Sequence, residues 1–146
     1  MDSRQEVALD AILNAGKFLK DQVGKIVMRK DKGNQDLVSE ADIGSEGIIA
    51  QILSSYFPDE GILSEESEES EGGDFRWVID PLDGTHNLLA GLWEFGCGLA
   101  LEERGRITFG ACYFPMYEQL FCASLGQGAF LDRKSTRLNS SHTIQS

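Results

Sequence analysis

The run Phe75-Arg76-Trp77-Val78-Ile79-Asp80-Pro81-Leu82-Asp83-Gly84-Thr85 constrains the fold of this chain more than any other stretch. Phe75 to Ile79 is β-branched and aromatic and is bounded by Gly72-Gly73 and by Asp80-Pro81, the pattern of a buried strand. Proline donates no ladder hydrogen bond, so the strand is expected to stop at Asp80 and the chain to turn, bringing Asp83 back into the same space. Two carboxylates sharing one pocket repel, and a divalent cation between them would relieve that repulsion. Gly84 lets the backbone approach a ligand closely. The amides of Gly84 and Thr85 open an expected short helix, Thr85-His86-Asn87-Leu88-Leu89-Ala90-Gly91-Leu92, whose N-terminus favours an anion. The same five residues from Asp80 to Gly84 also fit a plain Asx or proline turn at a strand end.

Around this run the apolar spacing defines the other elements. Val7, Ala8, Ile12, Ala15, Phe18, Leu19 and Val23 recur at three and four, predicting a helix over 4–23 that stops at Gly24. The stretch from Lys25 to Asp42 reads as a helix end or weak strand and then a turn-rich loop. Ile43, Ile48, Ile49, Ile52, Leu53 and Tyr56 give a second helix ending before Pro58. Asp42 stands at its expected start, where a capping role competes with a catalytic one. Residues 59–74 hold eight acidic side chains, and Glu68, Glu69 and Glu71 read as a solvated loop. Glu65 differs, because Gly61-Ile62-Leu63 would deliver it from a strand end. Residues 95–103, 106–114 and 118–124 read as antiparallel strands with turns at Arg104-Gly105 and Pro115-Met116.

From Asp132 onward only Leu138 and Ile144 are large and apolar, too few to offset the entropy of ordering the segment. Asp132 to His142 resembles an in-frame translation of a sequencing-library adapter. Residues 132–146 are therefore expected to be a non-native, disordered tail, and 1–131 to be the genuine but interrupted chain.

A formal charge of −11 argues against a nucleic-acid partner, since affinity for phosphate polymers comes from clustered Lys and Arg. No apolar run approaches a membrane span and no secretory leader opens the chain, so a cytoplasmic protein with no membrane partner is expected. Cys97, Cys112 and Cys122 form no close-spaced pair and read as small core residues.

The run from Asp80 to Asn87 resembles the Asp-Pro-x-Asp-Gly-Thr-x-Asn motif of the inositol monophosphatase family. Ile62-Leu63-Ser64-Glu65-Glu66 resembles the family's Gly-Glu-Glu motif with Ser64 in place of glycine. Lys32, then Asp36-Leu37-Val38-Ser39 and Asp42, resembles a third motif, with Ser39 in the threonine position. Three motifs in order cover essentially residues 1–131. The resemblance implies a layered α/β sugar-phosphatase fold, of which this is the N-terminal α+β part, with two helices on a mainly antiparallel sheet. It implies Mg²⁺ as cofactor, with Glu65, Asp80, the Leu82 carbonyl and Asp83 as ligands. It further implies that Asp42 and Thr85 activate the attacking water, and that Glu65, Leu82, Asp83, Gly84 and Thr85 line the substrate site. The implied substrate is inositol monophosphate or another small phosphorylated polyol or sugar, hydrolysed by two-metal-assisted water attack. His86 would be a surface residue.

The family's further aspartate ligand lies in a second half with no counterpart here, so this chain is expected to be inactive and its full-length parent an enzyme, for which the resemblance admits the homodimer common in the family. A bisphosphate nucleotidase, a fructose-bisphosphatase-like member and a non-catalytic regulatory binding module are the alternatives.

Overall fold

The computed structural model describes residues 2–28, 34–64, 73–132 and 134–135. Helix α1 spans Ser3–Met28 and α2 spans Asn34–Tyr56. There follow strands β1 (Gly61–Ser64) and β2 (Phe75–Asp83), a short helix α3 (Thr85–Ala90), and strands β3 (Gly96–Glu103), β4 (Arg106–Phe114), β5 (Gln119–Ser124), β6 (Gly128–Leu131) and β7 (Lys134–Ser135). The seven strands form one sheet in chain order. Only β1 and β2 run parallel; every later pair is antiparallel. Arg104 and Gly105 both take positive φ, at 52° and 82°, as the right-twisted β3–β4 hairpin demands. No described helix is long and apolar enough to cross a membrane.

Helices α1 and α2 pack on each other and on one face of the sheet. Ala8, Leu9, Ile12 and Leu19 from α1 and Ile49 and Leu53 from α2 bury against Trp77, Ile79, Leu99, Leu101 and Phe109. These strand residues alternate, so their neighbours Val78, Ala100 and Gly110 turn to the opposite face and are only half-buried. A cleft of about 520 Å³ lies over that second face, lined by Leu63, Val78, Gly98 and Ala100, with Asp80 at one end.

A polar clamp closes the edge where the helices meet the sheet. The Arg4 guanidinium donates to Glu60 Oε1 at 2.6 Å, and the Trp77 indole N–H donates to Glu60 Oε2 at 2.6 Å. Arg4 also lies over the rings of Phe75 and Phe57, 3.9 and 5.3 Å from their centroids.

Three expectations are corrected. Helix α1 runs through Gly24 to Met28, because one interior glycine costs only about 1 kcal/mol and the apolar residues Ile26 to Met28 continue the pattern. Helix α2 begins at Asn34 rather than beside Ile43, so Asp42 lies inside it and is no N-cap. Strand β2 does not stop before Pro81 but continues to Asp83. The ladder pairs Asp80 with Gly98 and next Asp83 with Gly96, leaving Pro81 and Leu82 opposite Cys97 in a bulge that accommodates the missing N–H. Beyond Leu131, Asp132 and Lys134–Ser135 are also described. The Asp132 amide donates to the Leu120 carbonyl at 2.7 Å, its carboxylate accepts from the Leu120 amide at 2.9 Å, and Lys134–Ser135 pairs with β6. Residues 136–146 lie outside the described residues.

Candidate active site

The candidate site is built where β2 turns into α3. The bulge separates Asp80 and Asp83, and both carboxylate-bearing residues are exposed. Between them Pro81 and Leu82 are buried and anchor the turn from below. Gly84 follows with φ 84° and ψ 40°, a left-handed conformation that disfavours any side chain. A Cβ on Gly84 would come within 2.5 Å of the Glu94 carbonyl oxygen, so glycine is required by contact as well as by dihedral. The turn is held shut by Asn87, whose amide donates to that same Glu94 oxygen at 2.6 Å, and by the Leu88 amide donating to the Gly84 carbonyl at 3.0 Å. Thr85 opens α3 and is half-buried; His86 is exposed beside it.

Helix α2 approaches the same turn from the side. Ser45 is fully buried and its hydroxyl donates to the Pro81 carbonyl at 2.6 Å, across 36 residues of sequence. Asp42 lies one turn earlier on α2 and is half-buried. Ser45 is the residue that reading the sequence missed. Its signal was its place one turn after Asp42, on the side of α2 that continues to Ile49 and Leu53.

Asp80, Leu82, Asp83, Gly84 and Thr85 are thus brought into one continuous unit, with Asp42 on the neighbouring helix. Glu65 lies outside the described residues. Among the described residues no three His, Cys, Asp or Glu side chains are grouped closely enough to hold a metal ion. The donor chemistry nevertheless fits Mg²⁺. The bulge offers two carboxylates and the backbone carbonyl of Leu82, an all-oxygen set suited to a hard cation that keeps several waters.

Two thiols lie near this unit. Burial, with smaller contributions from Asp80 and Cys112, pushes the Cys97 thiol up to about 12. Burial and then Asp83 also raise Cys112. A raised thiol stays protonated at neutral pH and is unreactive. Cys97 is therefore expected to react with a disulfide reagent at pH 8 at least ~100-fold more slowly in the folded chain than in urea. Equal rates would contradict the burial.

Glu94 and Tyr117 make the most visible electrostatic pair nearby. The Tyr117 hydroxyl donates to the Glu94 carboxylate at 2.6 Å, which holds that carboxyl below its usual range and raises the phenol. Both groups are exposed, so screening by water leaves the pair little weight in stability.

Comparison with known proteins places the chain by family and fold. The family model described as "Inositol monophosphatase family" matches residues 1–146. A "Fructose-1,6-bisphosphatase/inositol-1-monophosphatase" of Aquifex aeolicus is 34% identical over 96% of this chain and 54% of that relative. An "Inositol-1-monophosphatase" of Rhizobium meliloti is 39% identical over 90% of this chain and 51% of the relative. Among solved structures, the extragenic suppressor protein suhB of Bartonella henselae superposes with a TM-score of 0.81 at 38% identity, over 92% of this chain and 53% of that one. The chain spans about half the length of the curated relatives it matches. With its whole length matched by the family model and its helices and sheet superposing on a solved relative, this chain belongs to the inositol monophosphatase family.

Proposed function

We propose that the full-length protein to which this chain corresponds is a Mg²⁺-dependent phosphomonoesterase acting on inositol monophosphate or a related small sugar phosphate. The observation that carries the reading is the single bulge–turn–helix unit holding Asp80, Leu82, Asp83, Gly84 and Thr85 in sequence. In it, Asp80, Asp83 and the Leu82 carbonyl hold the cation, with Glu65 completing the set. The cation, when bound, supplies Lewis-acid activation of water and stabilises charge at the leaving oxygen. Asp42 and Thr85 would orient and activate the attacking water. The amides of Gly84 and Thr85 hold the phosphate, which the close approach permitted by Gly84 makes possible. Residues 1–131 are the N-terminal part of this phosphatase domain. The chain alone lacks part of the ligand set and one wall of the pocket, and it turns over little or no substrate.

The full-length protein is expected to release phosphate from inositol monophosphate only when Mg²⁺ is present, with the 146-residue chain near background. Release that ignores chelation of the metal, or rapid turnover by the short chain, contradicts the proposal. A fructose-bisphosphatase-like activity is the second reading, favoured by the double name of the Aquifex aeolicus relative. Direct competition between the two substrates separates them. A nucleotidase fits less well, because Lys and an acidic residue usually follow Asp-Gly-Thr in that group, whereas this chain has His86-Asn87-Leu88.

A further inference from the structure

We propose that Ser45 is a positioning residue that sets the geometry of the Asp80–Asp83 bulge, an inference resting on the metal-dependent reading above. A serine inside a helix ordinarily satisfies its hydroxyl on the carbonyl one turn back, here that of Ala41. Ser45 instead reaches off α2 and donates to the Pro81 carbonyl at 2.6 Å, in a buried contact. That carbonyl belongs to the one stretch of β2 that the ladder does not hold. Pairing is regular up to Asp80 and resumes at Asp83, and Pro81 has no N–H with which to bridge the gap.

The Pro81 carbonyl and the Leu82 N–H share a peptide plane, so fixing the oxygen fixes the plane. With the Leu82 side chain buried below, the direction in which the Leu82 carbonyl and the Asp83 carboxylate leave the turn is then determined. The same hydrogen bond locks α2 to β2 at this point. Helix α2 carries Asp42 one turn before Ser45, and β2 carries Asp80 and Asp83, so one hydroxyl keeps the two elements in register. A simply structural serine would satisfy a buried carbonyl and affect stability alone. A positioning serine also affects how well the bulge holds a cation.

The test uses the full-length protein with Mn²⁺ as the probe, free ion being followed by its electron paramagnetic resonance signal. Four proteins are compared: wild type, Ser45→Ala, Ser45→Cys and Leu53→Ala. Leu53 is buried on the same helix, two turns away, and its truncation lowers stability without touching the bulge. Wild type is expected to bind. Ser45→Ala is expected to weaken binding about 10- to 100-fold, the range for losing a group that orients a ligand. Ser45→Cys, with a weaker donor of similar size, should fall between, and Leu53→Ala should match wild type despite its lower melting temperature. Amide exchange at Asp83, Gly84 and Thr85 should quicken in the Ser45 variants and not in Leu53→Ala.

Wild-type affinity in a folded Ser45→Ala, or equal losses in Ser45→Ala and Leu53→Ala, overturns the role of Ser45 and leaves the metal site standing. If Ser45→Ala does not fold, Ser45→Cys decides by the same criterion. Failure of wild type itself to bind Mn²⁺ overturns the metal reading, and the positioning role with it.

Discussion

Changing Asp80 and Asp83 together to asparagine will remove divalent-cation binding from the full-length protein and leave its fold intact. Both residues are exposed at the sheet end, so neutralising them strands no buried charge. The melting temperature should therefore hold. In the full-length protein the effect on phosphate release should be on the order of a thousandfold or more. Cation stabilisation is worth several kcal/mol, and each ~1.36 kcal/mol is tenfold in rate. A Mn²⁺ titration of the double variant that overlays wild type would contradict the assignment of these carboxylates. The same pair changed to alanine in the full-length protein separates an enzyme from a docking module, since protein–protein docking should survive the change and hydrolysis should not.

Trp77→Ala is expected to cost a large share of the chain's stability. Trp77 is fully buried in β2, stacks on Phe57 at 6.1 Å and satisfies one oxygen of Glu60. Truncating a buried tryptophan costs about 3–5 kcal/mol. Leaving a largely buried carboxylate short of one donor costs about 1–3 kcal/mol more. A domain of this size has roughly 5–15 kcal/mol in total. Trp77→Phe isolates the second contribution, because it keeps most of the ring packing and loses only the N–H. It should cost about 1–3 kcal/mol beyond the small loss of ring volume. Urea unfolding of the three proteins measures both, and a Trp77→Ala midpoint close to wild type would show that the clamp and the core are not coupled.

Local rules read much of this fold correctly because local forces decide it. The first helix follows from apolar residues at three and four, and the strands of the antiparallel meander follow from alternation and from turns such as Arg104-Gly105. The errors share one physical origin. The start of α2 was hidden because the turn-forming residues Lys32 to Asp36 outweigh, in sequence, the spacing of Leu37, Ala41 and Ile49. Pro81 reads as a strand terminator, yet β2 passes through it, with Ser45 holding its carbonyl from another element. Strand β6 is short and begins with a glycine at φ 80°, so nothing in its own residues announces pairing with β5. The turn that carries Asp80, Asp83, Gly84 and Thr85 was legible as a unit because these residues are contiguous. The hydrogen bond from Ser45 to the Pro81 carbonyl was not, because it exists only once two distant segments meet.

The sheet has a temporal side as well as a spatial one. Its neighbours in space are its neighbours along the chain, from β1 to β7, so each strand finds its partner already made when it leaves the ribosome. No strand must wait for a distant segment to be synthesised before it can pair. Assembly can therefore proceed by simple addition at a growing edge, with α1 and α2 already present to shelter one side of β2, β3 and β4. A later-made portion of a longer polypeptide would then meet a finished surface rather than help to create it.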